Sequence, residues 1–117
     1  PSWFGGTSED VFTSGALVNN LDIKGLYVVV VDALANGVSS SPSNTPRFPA
    51  ISIGDMVNSQ HQLLVEHLGI NHLFAVAGIS MGGMQALEWS VSYPEFMTKV
   101  ISIVGTPVQS SFDVLVW

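Results

Sequence analysis

Residues 73–84 read Leu-Phe-Ala-Val-Ala-Gly-Ile-Ser-Met-Gly-Gly-Met, and they carry the strongest structural signal in the chain. The first part is a short apolar run, which is typical of a strand that is buried on both faces. The second part contains Gly78-Ile79-Ser80-Met81-Gly82, a G-x-S-x-G motif, and it opens directly into a predicted helix over residues 82–92. A strand, this motif and a helix in direct succession predict a nucleophile elbow, a tight turn that raises a serine above the sheet.

The residue types in this motif have a physical reason. Side chains two positions before and two positions after the serine would collide in so tight a turn, and both positions are glycine, Gly78 and Gly82. The hydroxyl of Ser80 would then lie at a helix N-terminus, where the helix dipole and free N–H groups favour a developing oxyanion. We therefore predict Ser80 as the catalytic nucleophile and the backbone N–H of Met81 as an oxyanion donor. The alternative is a chance G-x-S-x-G string in a glycine-rich turn.

A phosphate-binding loop explains this segment less well. The motif contains neither G-x-G-x-x-G nor a following Gly-Lys-Ser/Thr, and no basic residue lies beside it to meet a phosphate.

Outside this stretch the chain alternates between predicted strands and helices. Residues 26–32 and 99–105 form two further apolar, β-branched strands, and a helix is predicted from an Asp55 cap to Leu68, ended by Gly69. Another helix is predicted to begin at Ser110. Such alternation indicates parallel strands joined by right-handed crossovers. The predicted fold class is therefore α/β, a parallel sheet with helices on both faces, with ligands bound at the carboxyl ends of the strands.

Composition and charge exclude several classes of function. The chain has 117 residues, enough for one domain, and a net charge of −6 with only three basic residues. We therefore expect no nucleic-acid or membrane partner. The absence of cysteine excludes disulfides and zinc–thiolate sites, and we predict no metal and no cofactor. No leader pattern and no membrane-spanning run is visible, and the expected location is cytoplasmic.

A serine nucleophile needs a base, but the histidines all precede Ser80. His61 lies on the apolar face of its predicted helix, and a core or interface role is favoured over catalysis. His67 lies in the last turn of that helix, and His72 opens the next strand at the end far from the predicted site. None of the three is favoured as the base.

The acidic candidates are equally few. Asp32 follows a predicted strand at the correct edge of the sheet, but we favour a role in holding the loop that follows it. Asp113 is the only aspartate after Ser80, precedes no histidine, and is interpreted as a helix or lid residue. The sequence therefore contains a nucleophile and part of an oxyanion hole, without a base or an orienting acid.

The chain resembles the α/β-hydrolase superfamily, and specifically its homoserine O-acetyltransferase-like branch. The matching segments are residues 30–44, 55–57, 60–61, 66–70, 78–89 (Gly-Ile-Ser-Met-Gly-Gly-Met-Gln-Ala-Leu-Glu-Trp) and 93–94. The block Ser80 to Gln85 is specific to this branch. The resemblance implies that residues 1–117 are the central part of a single catalytic domain. A helical lid and a late Asp and His would then lie outside this sequence. It also implies that the N-terminal loop supplies the second oxyanion N–H, at Trp3.

The resemblance implies a serine-nucleophile acyl-transfer enzyme that acts through an acyl-serine intermediate. Its substrate would be a small acyl ester or acyl-CoA, and the full-length protein could form a homodimer. Acetyltransferases of this branch carry an arginine shortly after the strand that here ends near Gly105, whereas residues 106–110 are Thr-Pro-Val-Gln-Ser. Ester hydrolysis is therefore slightly favoured over transfer to homoserine. A non-catalytic, truncated homologue that acts by binding is the other alternative. Because the base is missing, we expect the isolated chain to be inactive.

Overall fold

A computed structural model describes residues 1–111. Its elements, in chain order, are α1 (Ser8–Thr13), α2 (Ile53–Gln62), a π-helical segment π1 (Leu63–His67), β1 (Leu73–Ile79), α3 (Met81–Ser92) and β2 (Met97–Ile103). The helix predicted from Ser110 onward lies almost entirely outside the described residues. Within residues 1–111, no helix combines the length and apolar character needed to cross a bilayer.

The two strands form a parallel pair, and α3 is the crossover between them. Ala77 pairs with Ile101, and Ile79 pairs with Ile103. Helix α3 packs against both strands, and α2 packs against α3. The strands therefore end at the same edge of the sheet, directly beside the start of α3. The predicted strands around residues 73–77 and 99–105 and the predicted helix over 82–92 are confirmed, with shifts of at most two residues at their ends.

The strand predicted over residues 26–32 is wrong for the described structure. No strand is formed there, and Tyr27 is 82% exposed. The segment does lie beside β1, since residues 28–31 and 73–77 line the same cavity of about 580 Å³. No backbone hydrogen bonds join the two segments in residues 1–111. A β-branched run predicts extended backbone, but a strand also needs a neighbour within about 5 Å.

The helix predicted over residues 55–68 begins earlier and changes its geometry. Ser52 caps it, and Asp55 is the third helical residue, so the prediction of Asp55 as the cap is wrong. The Ser52 hydroxyl accepts from the Asp55 N–H, while the Asp55 carboxylate accepts from the Ser52 backbone and hydroxyl. Hydrogen bonds from the Ser52 side chain and backbone hold the pKa of Asp55 below its usual value. After π1, Gly69 at φ +66° ends the helix, as predicted.

The core lies between α3, α2 and the sheet, and Trp89 is its largest fully buried side chain. Val57, Leu64, Val76, Ala86 and Met97 complete the buried cluster. The indole N–H of Trp89 donates to Gln60 Oε1 over 3.0 Å. The core therefore contains a polar contact that links α3 to α2.

Trp89→Phe is expected to lower the free energy of unfolding of the full-length protein by about 1–3 kcal/mol, because it leaves a buried amide oxygen of Gln60 without its donor. Urea unfolding followed by circular dichroism measures the change. Tyr93→Phe is the matched control, since it removes an exposed hydrogen bond from Tyr93 to Asn58. We expect that control to cost less than about 0.5 kcal/mol. Equal losses in the two variants would contradict the role given to the indole N–H.

Candidate active site

Ser80 is the single residue between β1 and α3, and its backbone is strained. Its φ is +56° and its ψ is −122°, a conformation that L-residues rarely adopt. The Ser80 N–H donates to the Ile103 carbonyl over 2.9 Å, and the Ser80 carbonyl accepts from the Met84 N–H over 3.0 Å. The end of β2 and the first turn of α3 thus hold the strained residue in position. This geometry is the one that the G-x-S-x-G motif predicts.

The two motif glycines are required by close backbone contacts. A Cβ on Gly78 would overlap the Gly82 carbonyl and lie 2.9 Å from the Gly83 nitrogen. A Cβ on Gly82 would lie 2.6 Å from the Pro1 carbonyl oxygen. The elbow is therefore closed on one side by its own helix and on the other by the start of the chain.

The Ser80 hydroxyl and the first turn of α3 are available for a ligand. The side chain of Ser80 makes no capping hydrogen bond, and its hydroxyl has no partner within residues 1–111. The first N–H groups of a helix have no intrahelical acceptor, and the N–H of Met81 is the first of them in α3. Met81 therefore lies where the predicted oxyanion donor has to lie, next to Ser80 on a helix N-terminus.

The N-terminal loop, which carries Trp3, packs against the first turn of α3 through Ser2. Ser2 is fully buried, and its carbonyl accepts from Gln85 Nε2 on α3 over 3.2 Å. Its N–H donates to the Val31 carbonyl, and its hydroxyl accepts from the Ala33 N–H. The Trp3 N–H makes no hydrogen bond within the described part of the chain. The structure thus brings the Trp3 backbone beside the first turn of α3, with its N–H uncommitted.

Ser80 opens into a cleft of about 760 Å³ at the carboxyl edge of the sheet. Apolar side chains dominate its walls, among them Phe4, Met81, Met84 and Leu87. Of the described residues that line it, only Glu88 is charged. An uncharged, partly apolar small molecule suits this cleft better than a phosphate-bearing one.

The three histidines lie away from the elbow, in agreement with the prediction that none of them is the base. The ring of His61 stacks on that of Tyr93 at a centroid distance of 3.9 Å and meets Phe96 at 4.8 Å, and all three half-buried rings lie at the edge of the core. His67 is exposed at the end of π1. His72 precedes β1, at the end opposite to Ser80, and bonds to the Thr98 hydroxyl over 3.0 Å. The structure brings none of them to Ser80.

Asp32 holds the loop around it, which is the role that the sequence analysis favours for this residue. One carboxylate oxygen accepts from the Ser8 N–H over 2.7 Å and from Asn36 Nδ2 over 3.0 Å. The other accepts from the Ser8 hydroxyl over 2.8 Å. These contacts join the start of α1 to the turn after residue 32. Asp113, the other acidic candidate, lies outside the described residues.

A buried pair of glutamines beside the elbow escaped the sequence interpretation. Gln60 and Gln85 are 3% and 0% exposed, and Gln60 Nε2 donates to Gln85 Oε1 over 2.5 Å. A signal was present in the sequence, because Gln60 lies three residues after Val57 and four before Leu64. That spacing puts an amide on the apolar face of α2. A buried amide must find a partner, and that requirement points to a second polar group in the core.

Known proteins resemble this chain in sequence over most of its length. A family described as "alpha/beta hydrolase fold" matches residues 3–116. An ethyl acetate hydrolase from Pseudomonas veronii is 40% identical over 124 aligned positions, which cover 98% of this chain and 35% of that protein. A homoserine O-acetyltransferase from Methanosarcina acetivorans is 54% identical over 72 positions, which cover 58% of this chain and 13% of that protein.

A solved structure extends the similarity to three dimensions. The acetylester hydrolase from Corynebacterium glutamicum matches with a TM-score of 0.88 and 34% identity, over 98% of this chain and 35% of that one. The chain thus spans about a third of the length of the relatives that it matches from end to end.

Proposed function

Because this chain belongs to the alpha/beta hydrolase family, we propose that Ser80 is the nucleophile of an acyl-transfer reaction. The observation that carries the proposal is the strained backbone of Ser80 between β1 and α3, with an uncommitted hydroxyl in the cleft. Relatives named as esterases and acetyltransferases perform acyl chemistry. A small-molecule acyl ester is the substrate class that fits both lines of support.

In the proposed reaction, the Ser80 oxygen attacks the ester carbonyl and its proton passes to a general base. The oxyanion of the tetrahedral intermediate accepts from the N–H groups of Met81 and Trp3. Collapse of the intermediate breaks the bond to the alcohol, which leaves with the proton from the base. Water, or the hydroxyl of an acceptor, then attacks the acyl-serine by the same sequence of steps, and Ser80 regains its hydrogen.

The base and its orienting acid are proposed to lie outside residues 1–117, in the same catalytic domain. Support comes from the positions of His61, His67 and His72, which do not approach Ser80, and from coverage of only 35% of the relatives. Residues 1–117 would then be the central part of one catalytic domain. A cytoplasmic location and a homodimer of the full-length protein stay predictions.

Hydrolysis of a short-chain acyl ester is the first candidate reaction. The relatives that match 98% of the chain are named as hydrolases or esterases. The three basic residues, Lys24, Arg47 and Lys99, do not line the cleft, which disfavours the phosphates of acyl-CoA. Transfer of an acetyl group to homoserine is the second candidate, favoured by the 54% identity over 72 positions. A non-catalytic binding role is the third.

The proposal is tested by trapping the acyl-enzyme. The full-length protein is mixed with p-nitrophenyl acetate and quenched in acid, and its peptides are analysed by mass spectrometry. We expect acetyl on the peptide that contains Ser80, and release of p-nitrophenol in a burst that matches the enzyme concentration. Turnover with acetyl at another residue, or no turnover at all, would reject the proposal. Adding homoserine with acetyl-CoA separates the two reactions, since a transferase would form O-acetylhomoserine.

A further inference from the structure

Four buried polar groups and the partly buried Met81 carbonyl form one directed chain of hydrogen bonds behind the elbow. Trp89 Nε1 donates to Gln60 Oε1 over 3.0 Å, and Gln60 Nε2 donates to Gln85 Oε1 over 2.5 Å. Gln85 Nε2 then donates to the Ser2 carbonyl over 3.2 Å and to the Met81 carbonyl over 3.3 Å. The four buried residues of this chain of hydrogen bonds are each at most 3% exposed; they are Trp89, Gln60, Gln85 and Ser2.

The direction of this chain is determined by chemistry. An indole nitrogen can only donate, so Gln60 must present its oxygen to Trp89 and its NH₂ group to Gln85. Gln85 must then present its oxygen to Gln60, and its NH₂ group is left for the Ser2 and Met81 carbonyls. Both of these are acceptors only. Each amide therefore has one orientation that satisfies every partner.

The last acceptor in the chain is the peptide group that carries the Trp3 N–H. The carbonyl of Ser2 and the nitrogen of Trp3 belong to one planar peptide unit, in which the C=O and N–H bonds point in opposite directions. Gln85 holds that carbonyl from the α3 side, while Val31 and Ala33 hold the Ser2 N–H and hydroxyl from the other. Fixing the carbonyl therefore fixes the direction of the Trp3 N–H.

We propose that Gln85 is a positioning residue for the oxyanion hole. Its single NH₂ group joins the carbonyl of Met81 to the carbonyl of Ser2, and so it holds the two backbone segments that carry the proposed oxyanion donors at one fixed distance. This inference rests on the proposed function, because the N–H groups of Met81 and Trp3 matter only if an oxyanion forms at Ser80. Gln85 itself does not touch the substrate; it acts through the Ser2–Trp3 peptide.

The test compares two variants that cut the same chain of hydrogen bonds at different points. Gln85→Met removes the donor to the Ser2 and Met81 carbonyls. Gln60→Met removes the partner of Gln85 Oε1 and of Trp89, but leaves the two carbonyls to hold the Gln85 NH₂ group. Both remove a buried amide, so both are expected to lower the melting temperature of the full-length protein by similar amounts. Only the first frees the Ser2–Trp3 peptide.

With p-nitrophenyl acetate, Gln85→Met is expected to lower kcat by about 10- to 100-fold, a part of the loss seen when an oxyanion donor is deleted outright. KM should change by less than about 2-fold, because the donor acts on the transition state more than on the bound ester. Gln60→Met should keep kcat within about 3-fold of the wild-type value. Equal losses of kcat in the two variants, or an unchanged kcat in Gln85→Met, would overturn the inference.

Two further measurements keep the result decisive. Gln85→Leu is a second variant that lacks the NH₂ group, with a branched apolar side chain in place of the amide. It is expected to show the same loss of kcat if Gln85→Met does not fold. Mass spectrometry of the Ser80 peptide is run on every variant. Without acetyl on Ser80 in the wild-type protein the proposed function fails; with acetyl on Ser80 and full kcat in a folded Gln85 variant, only the positioning role fails.

Discussion

Ser80→Ala in the full-length protein is expected to lower kcat for p-nitrophenyl acetate by about 10⁴-fold or more, the scale of loss when a serine nucleophile is removed. Thermal stability should change little. Alanine has the same backbone strain at φ +56°, and the Ser80 hydroxyl makes no capping hydrogen bond whose loss would be felt. Steady-state hydrolysis and a melting curve of the same preparation provide both values.

A matched serine at the other end of the same helix provides the control. Ser92 is the last residue of α3, about 18 Å from Ser80 along the helix axis. It is exposed, and its hydroxyl donates only to the Glu88 carboxylate in the described structure. Ser92→Ala should keep kcat within about 2-fold of wild type. A folded Ser80→Ala protein with kcat within about tenfold of wild type would mean that another group attacks the ester.

Gly78→Ala is expected to prevent the protein from folding, or to lower its free energy of unfolding by more than about 4 kcal/mol. The added methyl group would overlap the Gly82 carbonyl and crowd the Gly83 nitrogen. These atoms are backbone, so no change of rotamer relieves the contact. Either β1 or the first turn of α3 would have to move, and both hold Ser80. Urea unfolding, or the yield of monodisperse protein, measures the effect.

Gly54→Ala shows whether the effect comes from this contact or from glycine replacement in general. Gly54 is the second residue of α2, and a Cβ there would lie 3.5 Å from the Ser52 hydroxyl and 3.6 Å from a Glu88 oxygen, ordinary packing distances. Alanine favours a helix over glycine by up to about 1 kcal/mol. Gly54→Ala should therefore be neutral or stabilising. If Gly78→Ala were as harmless as Gly54→Ala, β1 and α3 could not be in the contact described.

The parts of the fold that the sequence predicts well are those in which local pattern and tertiary contact demand the same residues. β1, the elbow and α3 are adjacent in the chain, and the glycines that permit the turn are also the ones that permit the packing. The prediction fails at residues 26–32. A β-branched run predicts extended backbone, but it contains no information about how close a neighbouring strand lies. The prediction of Asp55 as the cap is wrong because a capping box contains two residues of cap-forming type, Ser52 and Asp55, and only the first is the cap.

The residues of the candidate site also fall into those that a local motif predicts and those that only tertiary contacts bring together. Ser80, Met81 and the glycines are recognisable because one short motif contains them. The buried amides of Gln60 and Gln85 are 25 residues apart, and no local sequence pattern predicts the contact between them. Trp3 could be proposed only through the family resemblance, since the loop that carries it has no motif of its own. The neighbouring Ser2 is held by Gln85, a contact that only the folded chain brings together.

The contact between Ser2 and Gln85 joins residues that are 83 positions apart, whereas β1, α3 and β2 occupy the 31 residues from Leu73 to Ile103. The entropy of closing a loop grows with its length, so long-range contacts form at greater cost than local ones. We therefore expect the elbow to assemble first during folding, and the loop that carries Trp3 to dock on it afterwards. A partly folded molecule would then already have Ser80 and the Met81 N–H in position, while the second proposed oxyanion donor, the Trp3 N–H, would join them only when its loop docks.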